Sequence, residues 1–209
     1  MANSAEQEIA AFSGDTSARD WLINKGMLDD SSDEYSVEVV SEWYRAGAES
    51  YILDFLVNQS RDNTDTTRRY IAKACIKVPC SDNMNDWVSR RKTLEAAGVN
   101  TPRLYAVKKA VLIEDHVPHD LKTAFDAAGE DGQRRIVANL FDMYDRIQTA
   151  GFQPRPFHDL RSHGDDVVAV DFGEDLGAQA ESAALDYDRK AILRVALGKS
   201  ASIGFNYAN

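Results

Sequence analysis

The chain has 209 residues, 44% of them hydrophobic, which is enough to bury the core of one domain or of two closely packed lobes. Its formal net charge of −10 argues against a concentrated basic surface, so we expect neither nucleic acid nor an anionic membrane as a partner. The chain has two cysteines, no long apolar segment and no signal-like segment, and these features predict a soluble cytoplasmic protein with free thiols.

The first half of the chain reads as an arm followed by strands. Residues 1–33 are rich in Ser, Ala and acidic residues, and we expect an N-terminal arm or a helical extension there. The next three runs are rich in β-branched and aromatic residues: YSVEVVSEWY, SYILDFLVN and RRYIAKACIKVP. Turn-like segments separate them, so the pattern predicts three consecutive antiparallel strands.

Helices and strands then alternate. The segment NDWVSRRKTLEAAGV has helical spacing and a stop signal at Gly98, and TPRLYAV and AVLIEDHV are typical of two further strands. The segment GQRRIVANLFDMYDRIQTAGF predicts a long helix that ends at Gly151. Its apolar stripe consists of Ile136, Leu140, Tyr144 and Ile147. The fold class predicted from this order is α+β.

An acidic segment follows the long helix. In PFHDLRSHGDDVVAVDFGEDLG, eight His, Asp and Glu residues surround one short apolar run at positions 167–170. A short buried strand is rarely flanked by so many acidic residues, so this segment is the strongest candidate for a functional site.

The order of elements, together with this segment, resembles the protein-kinase-like superfamily. The closest resemblance is to its small bacterial phosphotransferase branch, which includes aminoglycoside and choline phosphotransferase-like proteins and lipopolysaccharide-core kinases. It implies a two-lobed fold with an antiparallel β N-lobe that carries one helix and a reduced, mainly helical C-lobe. The nucleotide-binding N-lobe would then span residues 34–118, and the C-lobe with its catalytic and metal-binding loops would span residues 119–209.

Two motifs in the acidic segment carry the resemblance. VDFGED resembles the Asp-Phe-Gly motif, which implies that Asp171 holds the Mg²⁺ that bridges the nucleotide phosphates. FHDLR resembles the catalytic loop, which implies that Asp159 orients the acceptor hydroxyl and receives its proton. The plainer alternatives are a strand that ends in a polar turn for Asp171 and a helix cap or ion-paired loop acid for Asp159.

SHGDD offers a competing base, Asp165, but this residue precedes Asp171 by only six positions. An extended strand between them would hold the two carboxylates roughly 20 Å apart. Asp159 precedes Asp171 by twelve positions, which leaves room for a turn and a returning strand. Asp165 is instead expected as a second metal ligand, because the Asn that the family uses is missing and Mg²⁺ prefers oxygen ligands over a histidine nitrogen.

The resemblance also implies nucleotide-binding residues in the first half. Alternation along the third strand sets Lys73 and Lys77 on one face, and Lys73, between small residues, is the expected phosphate-binding lysine. Asp86 is its expected acidic partner on the following helix. The turn at Gly47, Ala48, Glu49 and Ser50 resembles a shortened phosphate-covering loop. Backbone groups from Glu114 to His116 would meet the edge of an adenine.

The expected function is therefore an ATP- and Mg²⁺-dependent transfer of phosphate to a hydroxyl group. Only 38 residues follow Asp171, and acidic residues are numerous among them, so we expect a small polar acceptor, with cationic compounds favoured. Two alternatives stay open. One is a minimal Ser/Thr protein kinase that acts on a protein partner, and the other is a catalytically inactive kinase-like binding module.

Overall fold

The computed structural model describes residues 7, 12, 15–27, 34–46, 50–61, 64–76, 80–108, 110–152, 160–170 and 188–198. Its secondary structure is α+β, as the sequence predicts. The chain divides into two compact units, one made of residues 1–86 and 103–116 and the other of residues 87–102 and 117–209.

The first unit is built on an antiparallel sheet of five strands in the order β1-β2-β3-β5-β4. The strands are β1 (Glu34–Ala46), β2 (Ser50–Arg61), β3 (Thr64–Cys75), β4 (Leu104–Lys108) and β5 (Val111–Asp115). The predicted antiparallel succession of the first three strands is confirmed. β3 pairs with β2 on one side and with β5 on the other, so it is the central strand of the sheet.

One face of this sheet carries the core of the first unit. A short helix, α1 (Asp15–Asn24), packs on that face. The ring of Phe12 lies 5.1 Å from that of Trp21 and 5.8 Å from that of Phe55, measured between centroids. Burying each large apolar side chain contributes about 1.5–3 kcal/mol, so this cluster fixes the helix on the sheet.

β1 is one of the two edge strands of the sheet, and its pairing is irregular. Its pairing with β2 shifts register between Val39 and Ser41 and again between Ser41 and Tyr44. Three of its large hydrophobic residues are exposed: Val39, Val40 and Tyr44. The exposed acids Glu38 and Glu42 lie on the same strand.

A helix after β3 is confirmed and begins earlier than predicted, as α2 (Cys80–Ala96). Gly98 ends it with a φ of 83°, a backbone conformation that favours glycine. The N–H of Gly98 donates to the carbonyl of Glu95, and the N–H of Val99 donates to that of Leu94. The Arg146 side chain donates a hydrogen bond to the Gly98 carbonyl, so a residue outside α2 also holds the end of this helix.

The second unit contains residues 87–96 of α2, a small antiparallel sheet in the order β6-β7-β8 and three further helices among its described residues. Its strands are β6 (His119–Asp120), β7 (Leu160–His163) and β8 (Asp166–Ala169). Its helices are α3 (Leu121–Ala127), α4 (Glu130–Thr149) and α5 (Arg189–Leu197). α3 and the strands β6 and β7 are short and were not among the elements expected from the sequence.

The long helix α4 supplies the centre of this unit. The predicted stripe is confirmed, because Ile136, Leu140, Tyr144 and Ile147 are all fully buried. They pack in one cluster with residues of α3, β7, β8 and α5. The N–H of Phe152 donates to Ile147 after Gly151, whose φ is 84°, so this helix also ends at its predicted glycine.

We predict that Leu140→Ala lowers the free energy of unfolding by about 2–5 kcal/mol, because it leaves a cavity in the middle of a packed cluster. Val195→Ala on α5 removes an apolar side chain that is 36% exposed and serves as the control. We expect it to change stability by about 0.5 kcal/mol or less. Denaturant unfolding followed by circular dichroism measures both. Equal losses for the two variants would contradict the assignment of the core.

Candidate functional site

The second face of the five-stranded sheet carries charged residues. Along β3, Ala72 and Ala74 are buried on the core face, while Arg69, Ile71 and Lys73 alternate with them and lie on the other face. From Tyr70 to Ala74 buried and partly exposed residues alternate, so this part of the central strand separates an apolar face from a charged one. The predicted alternation holds for Ala72, Lys73 and Ala74, and it ends at Cys75, which is also fully buried.

Lys73 makes a buried ion pair with the neighbouring strand β5. Its Nζ lies 2.8 Å from Oε1 of Glu114, and the two side chains are 14% and 3% exposed. The register explains the contact: Lys73 is opposite Leu112 and Glu114 is opposite Ile71, so the two charged residues are diagonal neighbours on one face. A carboxylate this deeply buried needs a charged partner, because leaving it uncompensated is costly.

A second ion pair stands on the other side of Ile71. Asp54 of β2 is opposite Ile71 and accepts two hydrogen bonds from Arg69, from Nε at 2.8 Å and from Nη2 at 2.6 Å. The hydrogen bonds to Asp54 raise the pKa of Arg69. Two carboxylates thus flank Ile71, and each is bound by the cation that stands two positions away from Ile71 along β3.

The acidic partner predicted for Lys73 was Asp86, on α2. Asp86 is exposed, and the carboxylate that the structure places at the Lys73 ammonium is Glu114. The sequence holds a weak signal for Glu114, because it directly follows the apolar residues 111–113, but the resemblance assigns only its backbone, to the edge of an adenine.

The other nucleotide-binding residues predicted in this unit are placed in part. Gly47, Ala48 and Glu49 lie outside the described residues. Ser50 is buried at the start of β2, opposite Cys75. Cys75 is buried and is not part of a disulfide bond. The backbone N–H of His116 donates to the carbonyl of Arg69 at 3.0 Å, so this group is engaged within the first unit.

Asp159 and Asp171, the predicted base and metal ligand, lie outside the described residues. The hairpin of β7 and β8 that stands between them is described. Leu160 is opposite Ala169, and His163 is opposite Asp166, with Gly164 and Asp165 forming the turn. Gly164 has a φ of 65°, which is the conformation that tight two-residue turns require.

This geometry argues against the predicted role of Asp165 as a second metal ligand beside Asp171. Asp165 lies in the turn, at the end of the hairpin opposite the one from which the chain continues to Asp171. Four residues of extended strand separate the two ends by about 13 Å. Asp165 is instead bound to α4: Arg135 Nε lies 2.6 Å from its carboxylate, and Asn139 donates to its carbonyl. The hydrogen bond to Asp165 raises the pKa of Arg135.

Among the described residues there is no group of three or more His, Cys, Asp and Glu residues that could hold a metal ion. In the same part of the chain, no helix is long and apolar enough to cross a membrane. The chain matches no family model and no curated protein.

We predict a strong energetic coupling between Lys73 and Glu114. Lys73→Met and Glu114→Gln should each lower the free energy of unfolding by about 3–5 kcal/mol, because each variant leaves one buried charge without this partner. The double variant should lose far less than the sum of the two, since both charges are removed together. Denaturant unfolding of the four proteins measures the coupling.

The control cycle uses Lys122 and Asp126, an ion pair of similar length on α3 whose side chains are 56% and 38% exposed. We expect little coupling there, because water screens exposed pairs. A coupling between Lys73 and Glu114 no larger than that of the control would show that the buried pair is not a strong interaction.

Proposed function

We propose that the protein is an ATP- and Mg²⁺-dependent phosphotransferase that acts on a hydroxyl group. The observation that carries the proposal is the register of the β7 and β8 hairpin. Leu160 is opposite Ala169, so the chain ends that lead to Asp159 and to Asp171 stand side by side. Asp159 directly precedes Leu160, and Asp171 is two positions beyond Ala169. This arrangement favours a joint role for the two carboxylates, which a base and a metal ligand at one phosphoryl group require.

The position of Lys73 gives further support. Its strand is paired on both sides, and Glu114 holds its ammonium group. An ammonium group fixed on a rigid strand suits the binding of phosphate oxygens, because little conformational entropy is lost when the ligand arrives. As part of this proposal, we assign the five-stranded sheet to the N-lobe that the resemblance implies. Its strand order and antiparallel pairing support the assignment.

Each side chain then has a defined task. Lys73 binds phosphate oxygens of the nucleotide, and the carboxylate of Asp171 supplies the oxygen ligand that Mg²⁺ prefers. Asp159 orients the acceptor hydroxyl and takes its proton as the hydroxyl oxygen bonds to the γ-phosphorus and the bond from that phosphorus to the bridging oxygen of ADP breaks. When bound, Mg²⁺ neutralises charge on the phosphates. Positioning and charge neutralisation therefore provide the catalysis.

For the acceptor we propose a small polar hydroxyl compound, with amine-bearing compounds favoured. The sequence after Asp171 is rich in acidic residues, which favour a cationic acceptor over an anionic one: Glu174, Asp175, Glu181, Asp186 and Asp188. Incubation with labelled ATP and a panel of aminoglycosides, choline-like amines, sugars and a cell lysate separates the alternatives. Label on lysate proteins alone would favour a minimal protein kinase. No transfer to any acceptor, together with no ATP turnover, would favour an inactive binding module.

We predict that Asp171→Asn abolishes Mg²⁺-dependent ATP turnover and the rise in melting temperature that Mg²⁺ and ATP together produce. The matched control is Asp165→Asn, which makes the same chemical change at the other end of the same hairpin. It should keep both properties, because Asp165 lies in the turn of the hairpin and binds Arg135 there. Coupled-enzyme assays and thermal unfolding measure the two effects. Turnover at the parent rate in Asp171→Asn would refute the proposal.

We also predict that Lys73→Ala slows turnover by one to several orders of magnitude, while Lys77→Ala has little effect. The difference corresponds to roughly 2 kcal/mol or more in the activation barrier, since each ~1.4 kcal/mol is tenfold. Lys77 lies outside the described residues, and its sequence position four residues after Lys73 makes it the natural control. A larger loss at Lys77 would move the phosphate contact to that residue. Both rates are measured below the melting temperature of each variant.

A further inference from the structure

We infer that Glu114 is the positioning residue for Lys73, and that this β5 carboxylate takes the place of an acidic partner from the helix after β3. The inference rests on the proposed function, because it assigns Lys73 to the nucleotide phosphates. It goes further by assigning a role to the Glu114 side chain, where the sequence predicts only backbone contacts.

The strands fix the geometry of the pair. β3 and β5 are hydrogen-bonded neighbours, and their register keeps Glu114 diagonal to Lys73 whatever the side chains do. The Glu114 carboxylate is 3% exposed and its Oε1 lies 2.8 Å from the Lys73 ammonium. A lysine side chain has four flexible carbon–carbon bonds, so a rigidly held carboxylate limits the positions that its ammonium group can occupy.

The contact with Glu114 is compatible with phosphate binding. An ammonium group has three N–H donors in different directions, so it can bind a carboxylate and a phosphate oxygen at the same time. The Glu114 carboxylate carries a negative charge close to the proposed phosphates, however, and it opposes the binding of an anionic nucleotide. We therefore expect Glu114 to favour the reacting geometry at the expense of some ground-state affinity.

This balance predicts a specific kinetic signature. Glu114→Gln should lower kcat by about tenfold or more, because the ammonium is no longer held in place, while the KM for ATP stays the same or falls. A purely structural role would change stability and leave the kcat of the folded protein unaltered.

The sheet offers a matched control in Asp54. Asp54 is opposite Ile71 on β2, just as Glu114 is opposite Ile71 on β5. Asp54 is buried and accepts two hydrogen bonds from Arg69. Asp54→Asn therefore breaks an ion pair on the same face that is more exposed, with side chains 40% and 12% exposed. Asp86→Asn is the second control, since Asp86 is the acid expected on α2. Both controls should keep kcat within about threefold of the parent.

The experiment measures kcat and KM for ATP of the full chain, at a temperature where circular dichroism shows each variant folded. It also compares Lys73→Ala with the double variant Lys73→Ala/Glu114→Gln. If Glu114 acts through Lys73, removing it has no further effect on kcat once the lysine is gone. If Glu114→Gln does not fold, Glu114→Asp is the second variant, because it keeps the charge and shortens the side chain by one methylene. We expect it to displace the ammonium group of Lys73 and to lower kcat by a smaller factor.

Several outcomes would overturn the inference. A kcat for folded Glu114→Gln within about threefold of the parent would do so, as would an equal loss in Asp54→Asn or a further loss in the double variant. In all three the parent enzyme still turns over ATP, so the proposed function survives. A parent protein without Mg²⁺-dependent ATP turnover would overturn both the inference and the proposed function.

Discussion

The first unit depends on one constraint, the position of β3 as a central strand with neighbours on both sides. Hydrogen bonds to β2 on one side and to β5 on the other fix the register of β3. This register determines on which face of the sheet each β3 side chain lies. Small alanines face the core, and the opposite face carries the two cations Arg69 and Lys73. A shift of one residue would bury both cations in the aromatic core, so the charged face and the packing of α1 are consequences of the same alignment.

Local pattern explains why much of this fold could be predicted from sequence. The β-branched runs of the first three strands, the apolar stripe of α4 and the glycines that end α2 and α4 are signals that act within a few residues. The strands β6 and β7 and the helix α3 were not expected, because they are only 2, 4 and 7 residues long. Such short segments carry too few residues to establish a period, and they form because the tertiary structure stabilises them.

The candidate site shows where sequence reasoning stops. Choosing Lys73 required only alternation along one strand, but choosing its partner required the register between β3 and β5, which are separated by α2 and β4. The residues close to Lys73 in the sequence do not indicate that register. Asp86 was the plausible local choice, and Glu114 became visible only through the sheet. The unexpected ion pair between Asp165 and Arg135 likewise depends on how the hairpin packs against α4.

The irregular outer strand β1 bears on how copies of this protein behave at high concentration. An exposed strand edge with neighbouring valines is the kind of segment that templates intermolecular β-pairing and fibre growth. The two register shifts at Ser41 interrupt the even row of hydrogen-bonding groups that such pairing needs, and Glu38 and Glu42 would bring like charges together if a second copy approached. The irregularity of β1 therefore opposes pairing between copies along this edge, while the pairing of β2 with β3 stays regular.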